Sequence, residues 1–269
     1  MARGAVNLRL QMRFVRNLFV LMALLATLAA NAQLPGIRIA RATGPITVDA
    51  VLDEPDWQTA ETAKNFKQYF PYDTSLSIVK TEVRLTYDDD NIYVAAIIRS
   101  TADRDYVTPS LRRDFRGEAN DGLSIVLDTF KDRTNAFLFG VNPFGVQREG
   151  LIANGGGVGQ NDFSLNWDNK WYSETRIEGD HWIAEMAIPF KTIRFKDNLD
   201  SWFVNFYTID SHNAERSTWS PIPRNFDIVN MAFNRELIWD KPLRNPGQNV
   251  SLIPYVPTGY DKNFEKGPA

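Results

Sequence analysis

The sequence contains no cysteine. That excludes a disulfide scaffold and thiol chemistry, and it closes the lipoprotein export route, which needs a cysteine at the cleavage point. Histidine is nearly absent: His181 and His212 are the only two, and they lack metal-ligand spacing. There is no Gly-x-Ser-x-Gly elbow, so a serine-hydrolase reading has no support. Basic charge is also short, with a formal net charge of −3. Residues 1–32 hold four of the 30 basic residues and no acid, so the rest of the chain has 26 basic against 33 acidic residues, a net of −7. An acidic chain argues against nucleic acid, because phosphate binding needs a basic stripe. With no covalent staple, stability must come from a hydrophobic core, and the roughly 210 residues from 33 to 245 suffice for one large domain.

Long apolar runs are scarce as well. One uncharged stretch of 13 residues, Leu18 to Ala30, follows Arg3, Arg9, Arg13 and Arg16 and precedes Ala30-Asn31-Ala32. A basic start, a short apolar run and a small-x-small site describe an export signal, with cleavage expected before Gln33. The run is shorter than the roughly 20 residues that span a bilayer. Met12 offers an alternative start, since residues 12–32 alone make a complete signal.

What is present is strand pattern. Thr81, Val83, Leu85 and Tyr87 alternate with Glu82, Arg84 and Thr86, turn at Asp88 to Asn91, and give way to the β-rich run Ile92 to Ile98. Similar runs cover residues 123–127, 136–141, 146–152, 171–177, 182–188, 202–209 and 236–239, with turn residues between several of them. Helical patterns are short, at Pro55 to Ala63 and Pro189 to Ile193. The expected fold is all-β: an antiparallel β-sandwich of the immunoglobulin or jelly-roll kind, with one or two short helical turns. The expected division is a signal at 1–32, the sandwich at 33–245, and at 246–269 a linker and the start of a truncated, barrel-like domain around Val250, Leu252 and Tyr255.

Several motifs, in order, carry a family resemblance. They are Ile46-x-Val48-Asp49-x-x-Leu52-Asp53-Glu54-x-x-Trp57, with Ala50 where the pattern has glycine; Thr81-x-Val83-x-Leu85-x-Tyr87-Asp88-Asp89; and Ile92-Tyr93-Val94. Arg112-Arg113-Asp114, Asp121-x-Leu123, Leu127-Asp128-Thr129, Asp132, Phe139, Asn142, Gly145 and Gln147 follow. Trp167, Trp171, Trp182-x-x-Glu185-x-x-Ile188-Pro189-Phe190 and Trp202-x-Val204-Asn205-Phe206 complete the set. Over residues 45–240 the chain resembles a family 9 carbohydrate-binding module, of the type fused to outer-membrane barrel domains in Gram-negative bacteria. The resemblance implies a sandwich that binds poly- or oligosaccharide, often at a chain end, with no cofactor beyond a structural calcium in some members. It implies a periplasmic, outer-membrane or cell-surface location, and a role in glycan breakdown or uptake.

A sugar site needs an aromatic face beside planar polar groups. Trp57, Trp182, Trp202 and Trp239 read as core anchors. Trp167 and Trp171 follow the polar loop Asn154 to Asn166 and are the aromatic candidates. Were the segment extended, their rings would share a face about 13 Å apart, at ~3.3 Å per residue. Arg112, Arg113 and Asp114 are the polar candidates, with Asn142 and Gln147 behind them. The competing reading of the Arg triplet is a surface ion pair, and that of Asn142 a turn. Asp88 to Asp90 could supply oxygens to calcium but also suits a hairpin turn. Asn154-Gly155-Gly156-Gly157 lacks the ending of a phosphate loop and reads as a flexible loop near the ligand face. The rival function is a glycoside hydrolase, which needs two carboxylates. Glu185 is the most tempting of these, yet it lies mid-strand in a structural motif, and no catalytic constellation is evident. A structural or transport role beside an outer-membrane barrel is the other alternative.

Overall fold

Period-two alternation builds most of the molecule. The computed structural model describes residue 17 and residues 34–100, 105–115, 117–157 and 162–244. Apart from residue 17, the expected signal segment lies outside them, as does the tail from 246 onward. The strands are β1 (Ile37–Arg41), β2 (Thr62–Ala63), β3 (Lys67–Phe70), β4 (Lys80–Tyr87), β5 (Asn91–Arg99), β6 (Gly122–Asp128) and β7 (Ala136–Val141). They continue with β8 (Gln147–Ile152), β9 (Phe163–Ser164), β10 (Tyr172–Glu178), β11 (His181–Pro189), β12 (Ser201–Asp210), β13 (Glu215–Thr218) and β14 (Arg235–Trp239). A single α-helix, α1 (Pro55–Thr59), and 3-10 turns at Gly117–Ala119 and Met231–Phe233 are the helical elements among the described residues. The second expected helical turn is not made: Thr192 N–H donates to Pro189 C=O at 2.8 Å and closes a plain turn.

One layer of the sandwich runs β10-β11-β5-β4 and the other β14-β12-β6-β7-β8-β9. β1 joins them: Ile37 to Ile39 pair with β14, then Ala40 and Arg41 pair with β4. Both pairings are parallel, whereas the other described strand pairs are antiparallel. By changing layer mid-strand, β1 ties one edge of the sandwich shut, which protects two sheet edges from stray pairing.

Alternate residues of both layers form the core. Val83, Leu85, Val94, Ala96, Trp182 and Met186 of the first layer are clustered with Leu123, Ile125, Phe139, Trp202, Val204 and Leu237 of the second. At one end Trp202 and Trp239 stack edge-on at 4.8 Å between ring centres, with Tyr87 5.0 Å from Trp239. These side chains, with Trp57, are buried, so the four tryptophans read as core anchors take that role.

Both outer faces are partly covered too. On β5 and β11, Tyr93, Ala95 and Ala187 pack beneath Trp57 and the segment holding Ile46, Val48 and Leu52. On the second layer, Val126, Leu138, Ile152 and Tyr207 pack with Met231. The first cover turns sharply at Ala50, whose φ of 59° is left-handed. A side chain there costs ~1–2 kcal/mol relative to the right-handed form, which explains why the family pattern favours glycine. Ala50→Gly is expected to raise the unfolding free energy by about 0.5–1 kcal/mol, as read in denaturant melts. A loss of stability would mean that the buried methyl contributes more than its strain removes.

Candidate functional site

Three of the five polar residues singled out from the sequence, Arg113, Asp114 and Gln147, converge around an acid that was not. Glu149 of β8 is fully buried. Its carboxylate pairs with Arg113 Nη2, and it accepts Asn169 N–H at 3.3 Å and the Trp171 indole N–H at 3.2 Å. Arg113 also donates to Gln147 Oε1 at 3.0 Å and Asn169 C=O at 2.9 Å, with Asp168 at 3.4 Å. Gln147 turns its amide N–H to Trp171 C=O and Ser173 Oγ. Asp114 Oδ1 accepts Glu149 N–H at 3.2 Å. Arg113, Asp114, Gln147 and Trp171 therefore share one network that pins residues 168–171 to β8, and the Arg113 fork is largely consumed inside the protein.

The tryptophans follow suit. Residues 166–171 are irregular, and β10 begins only at Tyr172, so the extended spacing of the two rings is not realised. Trp171 is 3% exposed, and its ring lies 5.3 Å from Phe139. Trp167 is half-buried, 5.1 Å from Phe137 and 5.7 Å from Phe139. Asn142 is buried and closes its turn by accepting Phe144 and Val146 N–H, both at 3.0 Å. Arg112 is exposed, with its own N–H on Ser110 Oγ.

The acidic hairpin turn does not fit calcium. Asp88 accepts the N–H groups of Asp90 and Asn91 and the Tyr93 hydroxyl, and Asp89 pairs with Arg41. A calcium ion would need six to eight oxygens that are not so engaged. Among the described residues no group of three or more His, Asp or Glu side chains is placed to hold a metal.

The geometry best suited to a ligand lies on the outer face of the second layer. A cavity of about 150 Å³ is lined by Arg148 from β8, Tyr207 and Ile209 from β12, Arg216 from β13, Phe163 from β9, and the loop residues Gly117, Gly156, Gly157, Asp162, Asp227, Ile228 and Val229. The Arg148 guanidinium lies over the Phe163 ring at 5.1 Å, with Nη1 3.4 Å from the Tyr207 hydroxyl. Its Nε is buried and has no partner. A Cβ on Gly117 would overlap Arg148 Nη1, so glycine there leaves room for the guanidinium.

The loops close around it for local reasons. Gly156 has φ of 66°, and a Cβ there would strike Val229 C=O. Gly155 C=O accepts Met231 N–H at 3.0 Å, and its N–H donates to Thr134 C=O at 2.9 Å. Asn154 Nδ2 donates to Asp162 Oδ1 at 2.9 Å, and Val229 N–H donates to Asp227 Oδ1 at 3.2 Å. A planar fork of donors, two carboxylates and apolar walls of Ile209, Ile228 and Val229 thus surround a space of single-ring size. That combination matches a sugar, whose hydroxyls need both donors and acceptors and whose C–H faces need apolar contact.

Larger hollows lie elsewhere, among them one of about 390 Å³ lined by Tyr93, Gln147, Trp171 and Tyr172. A cleft of about 400 Å³ beside β1 is lined by Asp56, Glu61 and Asp240. Their carboxylates already accept from Thr43, Arg38 N–H, Arg41 N–H and the Tyr87 hydroxyl. Glu185, the acid that tempted a catalytic reading, lies on the opposite layer. It is fully buried, accepting Asp49 N–H at 3.1 Å, Ala50 N–H at 3.0 Å and the Trp57 indole N–H at 3.1 Å. Burial pushes its carboxyl up to about 7. Burial also raises Asp128. Neither acid lines the cavity.

Known proteins agree with this picture at the level of fold. A candidate carbohydrate-binding protein from Bacteroides uniformis superimposes with a TM-score of 0.60 at 13% identity, over 76% of this chain and 97% of that one. A family 9 carbohydrate-binding module from Caldicellulosiruptor kristjanssonii in complex with cellotriose gives 0.52 at 16% identity, over 80% of this chain and 100% of the module. Its complex with glucose gives 0.53 at 16% identity, over 79% and 100%. No curated protein matches the chain. The model of the carbohydrate family 9 binding domain-like family matches residues 48–224, about two thirds of the sequence, and the chain belongs to that family.

Proposed function

We propose that this protein binds carbohydrate by seating one sugar ring of a glycan in the cavity floored by Arg148. The observation that carries the reading is the Arg148 guanidinium over the Phe163 ring, facing the Asp162 and Asp227 carboxylates across a single-ring space. Family membership and the glucose and cellotriose complexes of structural relatives support the same chemistry. Binding is favoured over glycoside hydrolysis because both carboxyls raised by burial, Glu185 and Asp128, lie away from the cavity, and a hydrolase needs its raised acid at the scissile bond. In this reading the protein is exported through residues 1–32 and acts in the envelope, supporting glycan breakdown or uptake.

Calorimetric titration tests the site. Against matched mono- and trisaccharides of glucose, xylose, mannose and galactose, Arg148→Ala is expected to weaken the best ligand about 30-fold, near 2 kcal/mol. Trp167→Ala is expected to leave affinity unchanged. Loss in Trp167→Ala with none in Arg148→Ala would move the site to the 166–171 loop.

A further inference from the structure

Near the cavity's Asp227 rim lies an aromatic strip that the single-ring site does not use. Arg216, which lines the cavity, is the cross-strand partner of Phe70. The register slips by one residue directly after this pair, leaving Tyr69 as a bulge between Gln68 and Phe70. Arg224 lies over the Phe70 ring at 5.2 Å and donates from Nη1 to Pro71 C=O at 2.8 Å. Tyr72 follows, 66% exposed, beside Phe70 at 38%. The loop is held from below. Tyr69 donates its hydroxyl to Phe226 C=O at 2.7 Å, next to Asp227 of the cavity, and that hydroxyl feels the charges of Asp227, Arg216 and Arg224.

Three features distinguish this strip from scattered surface hydrophobes, which need no explanation. It is tied to the cavity rim by the Tyr69 hydroxyl on Phe226 C=O, next to Asp227. Its rings are interleaved with a guanidinium rather than with aliphatic side chains. Its loop is fixed by hydrogen bonds to the same 224–227 segment that supplies the cavity rim. An exposed tyrosine and an Arg-backed phenylalanine offer stacking faces, and the Arg224 N–H groups other than Nη1's bond to Pro71 can reach hydroxyls.

We propose that Phe70, Tyr72 and Arg224 form a second sugar subsite, so that the ligand is an oligosaccharide whose anchored ring sits in the Arg148 cavity and whose next rings lie along this strip. The inference rests on the cavity reading and deepens it, because it specifies a chain of linked sugars rather than a free monosaccharide. Glycans of one repeated sugar fit this arrangement, since stacking reads ring faces and not particular hydroxyl patterns.

The test titrates the purified protein with the same matched mono- and trisaccharides. The wild type is expected to bind the preferred trisaccharide about tenfold more tightly than its monosaccharide. Tyr72→Ala and Arg224→Ala are expected to erase most of that difference while leaving monosaccharide affinity unchanged, and Tyr72→Phe should retain it. Both altered side chains are on the surface, and unchanged melting temperatures confirm that the fold persists. Equal affinity for the two ligands in the wild type, or trisaccharide affinity untouched by Tyr72→Ala and Arg224→Ala, would overturn the strip while leaving the cavity standing. Failure of the wild type to bind any of the eight sugars would overturn both.

Discussion

Replacing Glu185 with alanine is expected to lower the unfolding free energy by about 3–5 kcal/mol, one of the two largest effects foreseen in this protein. Glu185 accepts from three separate donors: Asp49 N–H, Ala50 N–H and the Trp57 indole. Its removal strands these donors under a cover that also buries Trp57 against Tyr93, Ala95 and Ala187. An unsatisfied buried donor costs ~1–3 kcal/mol, and the cover is expected to detach before all three are left unpaired. Hydrogen exchange should therefore report local opening of residues 46–57 as well as a lower global stability. A loss below about 1 kcal/mol would show that Trp57 packing alone holds the cover.

The same residue gives the stability a pH dependence of unusual sign. Burial raises the Glu185 carboxyl from 4.5 to about 7. The folded state therefore holds this proton more tightly than the unfolded chain does. Stability from this group is complete below about pH 4.5 and is lost as the pH climbs through 7. The shift corresponds to about 3 kcal/mol at ~1.4 kcal/mol per unit. Melts of the wild type and of Glu185→Gln between pH 5 and 8 should differ in slope, with the glutamine variant the flatter of the two.

The second large effect is expected at Glu149. Glu149→Ala removes the acceptor of Arg113, Asn169 N–H and the Trp171 indole together, and is expected to destabilise the fold by about 3 kcal/mol. The indole of Trp171, 3% exposed in the wild type, should gain solvent and shift its fluorescence to the red. Arg113→Ala leaves the buried carboxylate without its counter-charge and should also destabilise. The double variant should lose less than the sum of the two, because both act through one network. Full additivity would mean that Arg113 and Glu149 act independently.

Much of the architecture was legible because it rests on alternation. β4 shows the period of two, β5, β6, β7, β11 and β12 show as β-rich runs bounded by turn residues, and each occurs within a residue or two of where the pattern puts it. β2, β3, β9 and β13 have two to four residues, too few for a period to be visible. The passage of β1 from one layer to the other is a tertiary event that five residues cannot announce. The proline at 189 suggests a helical start, yet the chain leaves β11 there through a single turn, since Phe190 is drawn back to Asp90 C=O at 2.8 Å.

The candidate site was less legible. Tryptophan and arginine are the natural residues to nominate for a sugar, but the donors of Trp171 and most of those of Arg113 have partners inside the protein. Residue type alone does not tell whether a donor is free. Glu149 carried the available clue: an acid in a strand, on the same face as Gln147 and next to the interior, demands buried partners. The cavity itself draws Arg148, Phe163, Tyr207 and Arg216 from four strands, so only the assembled sheet brings them together. The Gly155-Gly156-Gly157 run, read as a loop near the ligand face, does supply two residues of its lining.

The most direct measurement is a crystal structure of the protein soaked with the trisaccharide it binds best in calorimetry. One sugar ring is expected between Arg148 and the Asp227 to Val229 wall, with a hydroxyl within hydrogen-bond distance of the Arg148 guanidinium. A sugar bound elsewhere, with the Arg148 cavity holding only water, would contradict it.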